Sequence, residues 1–212
     1  MKGAIFDLDG VIVDTAKYHY LAWKEIAKEL GFDFKESDNE RLKGVSRMAS
    51  LEILLEVGKI YGLTYDEKIR IAEKKNNRYV EMLSQLNESE LLSGAKDYLL
   101  KLRSENVKIA LGSASKNAPL ILEKLNIAYL FDAIVDGNSV SAAKPDPEVF
   151  LKGAEMLGLN PNDCYVFEDS QAGIDAAKSG GFNSVAIDKS GVLKGANKKV
   201  KCLGELLQMS LI

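Results

Sequence analysis

Asp7 and Asp9 stand two residues apart, directly after the short apolar run Gly3-Ala4-Ile5-Phe6 and directly before Gly10. An apolar run that ends abruptly in acids and a glycine reads as a buried parallel strand delivering charge to its C-terminal end. Ligands bind at that end in open α/β sheets. Three more chemically loaded clusters follow. They are Gly112-Ser113-Ala114-Ser115-Lys116-Asn117, Ala143-Lys144-Pro145 and Phe167-Glu168-Asp169-Ser170. Together they supply two acids for chemistry, small hydroxyls with backbone N–H groups, one lysine and two further acids. That inventory suits phosphoryl transfer assisted by a hard divalent cation.

Each part has a physical role in such a reaction. Mg²⁺ takes oxygen ligands, a few from carboxylates and the rest from water and phosphate. Asp7, Asp169 and Glu168 can supply them, and the metal screens repulsion between a carboxylate and an anionic phosphate. Asp7 can attack phosphorus to form an aspartyl phosphate, and Asp9 can move a proton on the leaving or attacking oxygen. Lys144 and the Ser113/Ala114 loop can hold phosphate oxygens from the other side. Singly these residues have ordinary readings. A lysine is usually a solvated charge, Ser113 and Ser115 are usually helix caps, and Glu168-Asp169 could simply complement a helix dipole. Their joint occurrence at four strand ends favours the site.

The elements that must position them follow from periodicity. Strands are expected at Lys2–Phe6, Val107–Gly112, Ala133–Val135, Cys164–Phe167 and Ser184–Ile187. Helices are expected at Ala95–Arg103, Pro119–Leu125, Pro147–Leu157 and Gln171–Ser179, with a last one near Leu203–Met209. Alternation of strands with short helices predicts βαβ units and a parallel sheet. The first strand is parted from the others by a helical block: Thr15–Leu30 stopped by Gly31, a short turn at Asn39–Leu42, Met48–Tyr61 ended by Gly62, and Tyr65–Leu86 capped by Thr64. The expected fold class is therefore α/β, a Rossmann-like parallel sheet core at 1–14 and 90–212 with a helical cap domain inserted at 15–89. Such a cap emerges above the carboxylates, where a lid would sit.

Bulk properties set bounds. With 212 residues, 46% apolar and 28% charged, the chain has the make-up of an ordinary globular protein. A net formal charge of −3 provides no general attraction to nucleic acid or an anionic membrane. The two cysteines, Cys164 and Cys202, are far apart, which speaks against a disulfide framework and suits a reducing cytosol. A long apolar leader is not expected before the first strand. A cytoplasmic monomer acting on small molecules is the resulting expectation.

In order and spacing, the four clusters resemble the four motifs of the haloacid dehalogenase superfamily. The resemblance spans nearly the whole chain. It implies a Rossmann-like core, a four-helix cap, Mg²⁺ and an aspartyl phosphate at Asp7, with Asp7, Glu168, Asp169 and the backbone carbonyl of Asp9 as metal ligands.

The helical block is similar to that of the sugar phosphomutases within this superfamily. Thr15, His19 and Trp23 share one helical face. Lys43-Gly44-Val45-Ser46-Arg47 with Ser50, and Lys75-Asn76, complete the likeness, as do Ser113-Ala114-Ser115-Lys116-Asn117 and Lys144 below. The resemblance implies small sugar phosphates as substrates and β-glucose 1,6-bisphosphate as activator and intermediate. Arg47 is then the bidentate candidate for a distal phosphate, with Ser46 and Asn117 beside it. Lys75 is placed to bond a sugar oxygen or the loop, His19 to orient Asp9 or Lys75, and Val13-Asp14-Thr15 to form a hinge. The lone His19 and Trp23 also have the plainer reading of half-buried and core residues. Two alternatives stay open, a sugar-phosphate phosphatase on the same scaffold and a non-catalytic phospho-ligand binding module.

Overall fold

A computed structural model describes residues 1–42 and 45–209. Six parallel strands form one sheet: β1 (Gly3–Phe6), β2 (Lys108–Gly112), β3 (Ala133–Val135), β4 (Cys164–Glu168), β5 (Asn183–Ile187) and β6 (Lys198–Val200). Their spatial order is β3-β2-β1-β4-β5-β6. The order reverses between β1 and β4, the switch point where doubly wound sheets open a crevice at the strands' C-terminal ends. The fold is α/β and Rossmann-like. Phe6 aligns with Leu111 on one side and Phe167 on the other, so Asp7 leaves the sheet beside Glu168.

The chain divides into two compact units, one of residues 1–14 and 86–212 and one of residues 15–85. The first holds the sheet with α5 (Ala95–Ser104), α6 (Ala118–Lys124), α7 (Glu148–Leu157) and α8 (Gln171–Ser179). The second holds α1 (Ala16–Glu29), α2 (Glu36–Asn39), α3 (Arg47–Val57) and α4 (Tyr65–Leu83).

In the sheet unit, β1 is fully buried because both faces are covered, as its unbroken apolar run requires. Ile5 packs with Phe150, Ala154, Val166, Ala177 and Phe182 on one face. Phe6 stacks on Phe167 at 4.4 Å between ring centroids, and Tyr98 of α5 meets both rings edge-on. Such pairs add about 0.5–1.5 kcal/mol each beyond area burial. This aromatic floor lies directly beneath the acids at the strand ends. Cys164 is a buried free thiol, pushed up to about 11 by burial and by Asp163.

The helical unit has its own core of Trp23, Ile26, Ala27, Phe34, Leu51, Leu54, Leu55 and Ala72. Thr64 starts α4 with a capping box. Its Oγ1 accepts from Glu67 N–H at 3.3 Å, and Glu67 Oε2 accepts from Thr64 N–H at 2.8 Å. Ser46 caps α3 by accepting from Ala49 N–H at 3.2 Å.

The structure corrects several expected boundaries. α3 ends at Val57 rather than Tyr61, with Gly58 as its C-cap packed against the Phe32 ring. Lys59 then takes φ +52°, and Ile60 N–H bonds the Leu55 carbonyl at 2.9 Å, closing a Schellman-type stop. α4 ends at Leu83, three residues early. The tail forms a 3₁₀ helix over Leu203–Gln208 in place of an α-helix. β6 went unforeseen, since Lys-Lys-Val reads as solvated chain; lysines are common on exposed edge strands, where they discourage further pairing. Among the described residues, no helix is long and apolar enough to cross a membrane.

Candidate active site

The sheet unit gathers its candidates at the C-terminal ends of β1, β2 and β4 and in the loop after β3. Asp7 N–H donates to the Phe167 carbonyl at 2.9 Å, extending the β1–β4 ladder by one residue and fixing the first carboxylate. Lys144 Nζ then donates to Asp7 Oδ1 at 2.6 Å and to Glu168 Oε1 at 2.5 Å. All three side chains are almost wholly buried. The other oxygen of Glu168 accepts from Ser170 N–H and Ser170 Oγ, both at 2.8 Å. Ser170 Oγ in turn accepts from Gly173 N–H at 3.1 Å, which caps α8. One serine therefore starts a helix and orients an acid.

Two glycines make this packing possible. Gly10 adopts φ +76°, and the Asp169 carboxyl lies where a Cβ would stand. Gly173 likewise lies under the Glu168 carboxyl. Sequence reasoning valued Gly10 only as a strand-end signal and passed over Gly173. The signal for Gly173 was its place three residues after the capping serine.

The electrostatics follow from crowding acids in a buried crevice. Burial pushes the Asp7 carboxyl well above its ordinary range, Lys144 pulls it back, and Glu168 and Asp169 push it up again. Asp169 is pushed up to about 7 by burial, then by the charges of Glu168 and Asp9. Burial works against the Lys144 ammonium, but Asp7 and Glu168 outweigh it and hold the group above its usual range.

The oxygen donors fit an oxygen-preferring divalent cation. Asp7, Asp9, Glu168 and Asp169 bring four carboxylates to a crevice where Lys144 meets only part of the negative charge. Among the described residues no three His, Cys, Asp or Glu side chains are drawn into a preformed cage. Magnesium takes few protein ligands and completes its shell with water and phosphate.

The Ser113–Asn117 loop closes the β2 side. Ser113 N–H donates to the Val135 carbonyl at 3.0 Å, and Ser113 is buried. Its Oγ accepts from Ser115 N–H at 3.1 Å, and Ser115 Oγ accepts from Asn117 N–H at 3.3 Å. Two successive hydroxyl turns thus wind the loop into α6. Ala114 and Lys116 are exposed at its rim. Lys144 is presented by a loop that Glu148 anchors, its Oε2 accepting from Ser141 N–H, Ser141 Oγ and Ala142 N–H at 2.7–2.9 Å. Lys152 and those bonds pull the half-buried Glu148 carboxyl down to about 2. Glu148 was read only as part of a helix.

The helical unit holds a second polar cluster. His19 Nδ1 lies 2.6 Å from Lys75 Nζ. The Lys75 ammonium is buried over the rings of Trp23, at 5.1 Å, and Tyr79, at 4.7 Å. Tyr79 stacks on the His19 ring at 4.0 Å and donates its hydroxyl to Thr15 Oγ1 at 3.2 Å. Burial, then Lys75 and Arg47, hold His19 well below its ordinary range, so the ring is neutral. Arg47 opens α3 and donates to Asn76 Oδ1 at 2.8 Å. Ser50 is buried on the same helix, and Val45 is exposed just before it. Thr15, His19, Trp23, Lys75 and Tyr79 thus form one network across α1 and α4. Sequence reading had assigned Tyr79 to a packing face. Lys43 and Gly44 lie outside the described residues.

Comparisons with known proteins agree with this geometry. A family model described as haloacid dehalogenase-like hydrolase matches residues 1–181. A Bacillus subtilis protein named beta-phosphoglucomutase is 45% identical over 207 residues, covering 97% of this chain and 92% of its own. A crystal structure of beta-phosphoglucomutase from Clostridium difficile is similar with a TM-score of 0.91 at 44% identity, over 97% of this chain and 93% of that one. A Thermotoga maritima protein named phosphorylated carbohydrates phosphatase is 32% identical over 187 residues, 87% of this chain and 84% of its own.

Proposed function

The chain belongs to the haloacid dehalogenase-like hydrolase family, and from that premise we propose that it is a β-phosphoglucomutase. It interconverts β-D-glucose 1-phosphate and β-D-glucose 6-phosphate through a phosphorylated Asp7 and β-glucose 1,6-bisphosphate. The observation that carries this reading over a phosphatase is identity. The chain is 45% identical over nearly its whole length to a relative named for the mutase, against 32% for one named for the phosphatase.

The chemistry is derived from the residues. A carboxylate oxygen of Asp7 attacks phosphorus as the bond to the sugar oxygen breaks, and Asp9 gives that oxygen a proton. In the reverse half, Asp9 takes the proton from the attacking sugar hydroxyl and Asp7 is released as carboxylate. Lys144 steadies the charge on the transferring oxygens, and the loop Ser113, Ala114, Ser115, Lys116 and Asn117 holds phosphate from the other side. Asp7, the backbone carbonyl of Asp9, Glu168 and Asp169 are the residues to hold Mg²⁺, which when bound polarises phosphoryl oxygens.

We assign residues 15–85 to a cap. Arg47, with Ser46 and Ser50, is its distal-phosphate site, to which we also assign Lys43, Gly44 and Val45. Lys75 is held by His19, Trp23 and Tyr79 ready for a sugar oxygen. A mutase needs two phosphate sites, because its bisphosphate must present either end to Asp7. Thr15 opens the cap as its hinge. Substrates are small sugar phosphates, and the protein acts as a cytoplasmic monomer.

Phosphorus NMR tests the reading. With β-glucose 1-phosphate, Mg²⁺ and a trace of β-glucose 1,6-bisphosphate, the 6-phosphate resonance grows while inorganic phosphate stays flat. Stoichiometric release of inorganic phosphate without 6-phosphate would replace the mutase with the phosphatase.

A further inference from the structure

Residues 136–138 open the loop that goes on to carry Lys144; they have no part in the chemistry above, yet they meet the Ser113–Asn117 loop at three successive residues. Gly137 N–H donates to the Ser115 carbonyl at 3.2 Å. Asn138 Nδ2 donates to the Lys116 carbonyl at 3.2 Å. Gly137 also lies so close to the Ala114 carbonyl that a Cβ there would collide with it. In a trans peptide the C=O and the following N–H point to opposite sides. Bonding the carbonyls of Ser115 and Lys116 to one side, with the Ala114 carbonyl packed against Gly137, turns the following N–H groups to the other side, where those of Ser115 and Asn117 meet the hydroxyls of Ser113 and Ser115.

The gripping loop is itself held by a buried acid. Asp136 accepts from Asn138 N–H at 2.9 Å, Asn138 Nδ2 at 3.0 Å and Ser139 Oγ at 2.9 Å. The two Nδ2 protons of Asn138 are thus divided between the Asp136 carboxylate and the Lys116 carbonyl.

We propose that Asp136, Gly137 and Asn138 form a buckle of positioning residues that sets the anion-facing side of the Ser113–Asn117 loop. This deepens the proposed function and rests on that loop holding phosphate. Its consequence falls on substrate affinity. None of the buckle's own hydrogen bonds is made to Asp7 or Lys144, so it is expected to move KM for sugar phosphate more than kcat.

Two variants act on it from different directions. Asn138→Asp is isosteric but places an anion against both Asp136 and the Lys116 carbonyl. Gly137→Ala drives a methyl into the Ala114 carbonyl. Each is expected to raise KM for β-glucose 1-phosphate about tenfold, as loss of an oriented charge-assisted bond does. kcat is expected to stay within about threefold. A merely structural loop would lower the melting temperature and the active fraction without moving KM.

Binding is read separately, by amide NMR of Ser115, Lys116 and Asn117 during titration with inorganic phosphate. The wild type is expected to show saturable shifts and the variants about tenfold weaker ones. If the wild type turns over while both variants keep its KM and its phosphate affinity, the buckle is refuted and the mutase reading survives. If the wild type binds phosphate at these amides and the variants weaken it, but no isomerisation occurs, the buckle stands and the mutase reading falls. If phosphate moves none of these amides in the wild type, the loop holds no anion and the buckle is refuted outright.

Discussion

Lys144 is the residue on which the sheet unit's charges turn. Its ammonium lies between the carboxylates of Asp7 and Glu168 in a nearly dry setting. Removing one partner of a buried charge set leaves the others uncompensated, which costs far more than losing a surface pair. Lys144→Ala is expected to lower kcat by about a hundredfold or more, read from single-turnover loss of the sugar phosphate. A variant retaining more than half of wild-type turnover would remove Lys144 from the machinery. His19 makes a separate claim through pH. The folded protein holds its ring neutral, so its pKa lies well below 6.5 there. Above pH 6.5 both folded and unfolded states carry a neutral ring. Below it the unfolded chain takes up a proton that the folded one refuses, and stability falls with pH. Urea titrations between pH 7 and 5 should show that fall in the wild type. His19→Gln should flatten it by up to one proton's worth, about 1.4 kcal/mol per pH unit.

Helix starts and strand ends place these residues. α4 begins at Thr64, whose reciprocal bonds with Glu67 satisfy donors that the helix leaves open. Thr64→Ala is expected to lower stability by about 1 kcal/mol, seen as a lower urea midpoint, with KM unchanged. α8 begins at Ser170 and passes Gly173 beneath Glu168. Gly173→Ala puts a methyl into that carboxyl and forces it off Lys144. Displacement of this size costs on the order of a hundredfold in kcat, while the melting temperature falls only modestly. Unchanged kcat would mean that Glu168 has other room to move.

Across the whole molecule, the question is which reaction the assembled groups run. A hydrolase needs one phosphate site, and a mutase needs two. Arg47 tests the difference, since in the helical unit it bonds Asn76 and is only half-buried, leaving guanidinium for an anion. Arg47→Ala is expected to lose isomerisation while a small phosphoryl donor still phosphorylates Asp7, followed by acid-quenched phosphoenzyme. Full isomerisation by this variant would end the distal-phosphate role. The two units also keep separate cores, Ile5 and Phe150 in one and Trp23 and Leu54 in the other, as expected when an independent helical segment interrupts a sheet.

Much of this was legible in the residues alone. The strand-end clusters at Asp7, Ser113, Lys144 and Glu168 could be read because a parallel sheet turns buried runs into apolar stretches that stop at charge. Helix starts at Thr64 and Gln171 could be read because capping is local chemistry, decided within four residues. Other features depended on residues distant in sequence. Gly58, the C-cap of α3, packs against Phe32, 26 positions earlier, in space a side chain would need. Tyr79 looked like packing until folding set its ring on His19 and its hydroxyl on Thr15. Asp136 and Asn138 carried no motif, and only the parallel pairing of β2 with β3 lays their loop against Ala114–Lys116. Sequence by itself determined which residues are candidates for the chemistry, because type and local spacing are written along the chain. Tertiary structure decided which residues hold them in place, because a hydrogen bond across more than a dozen residues leaves no period to read.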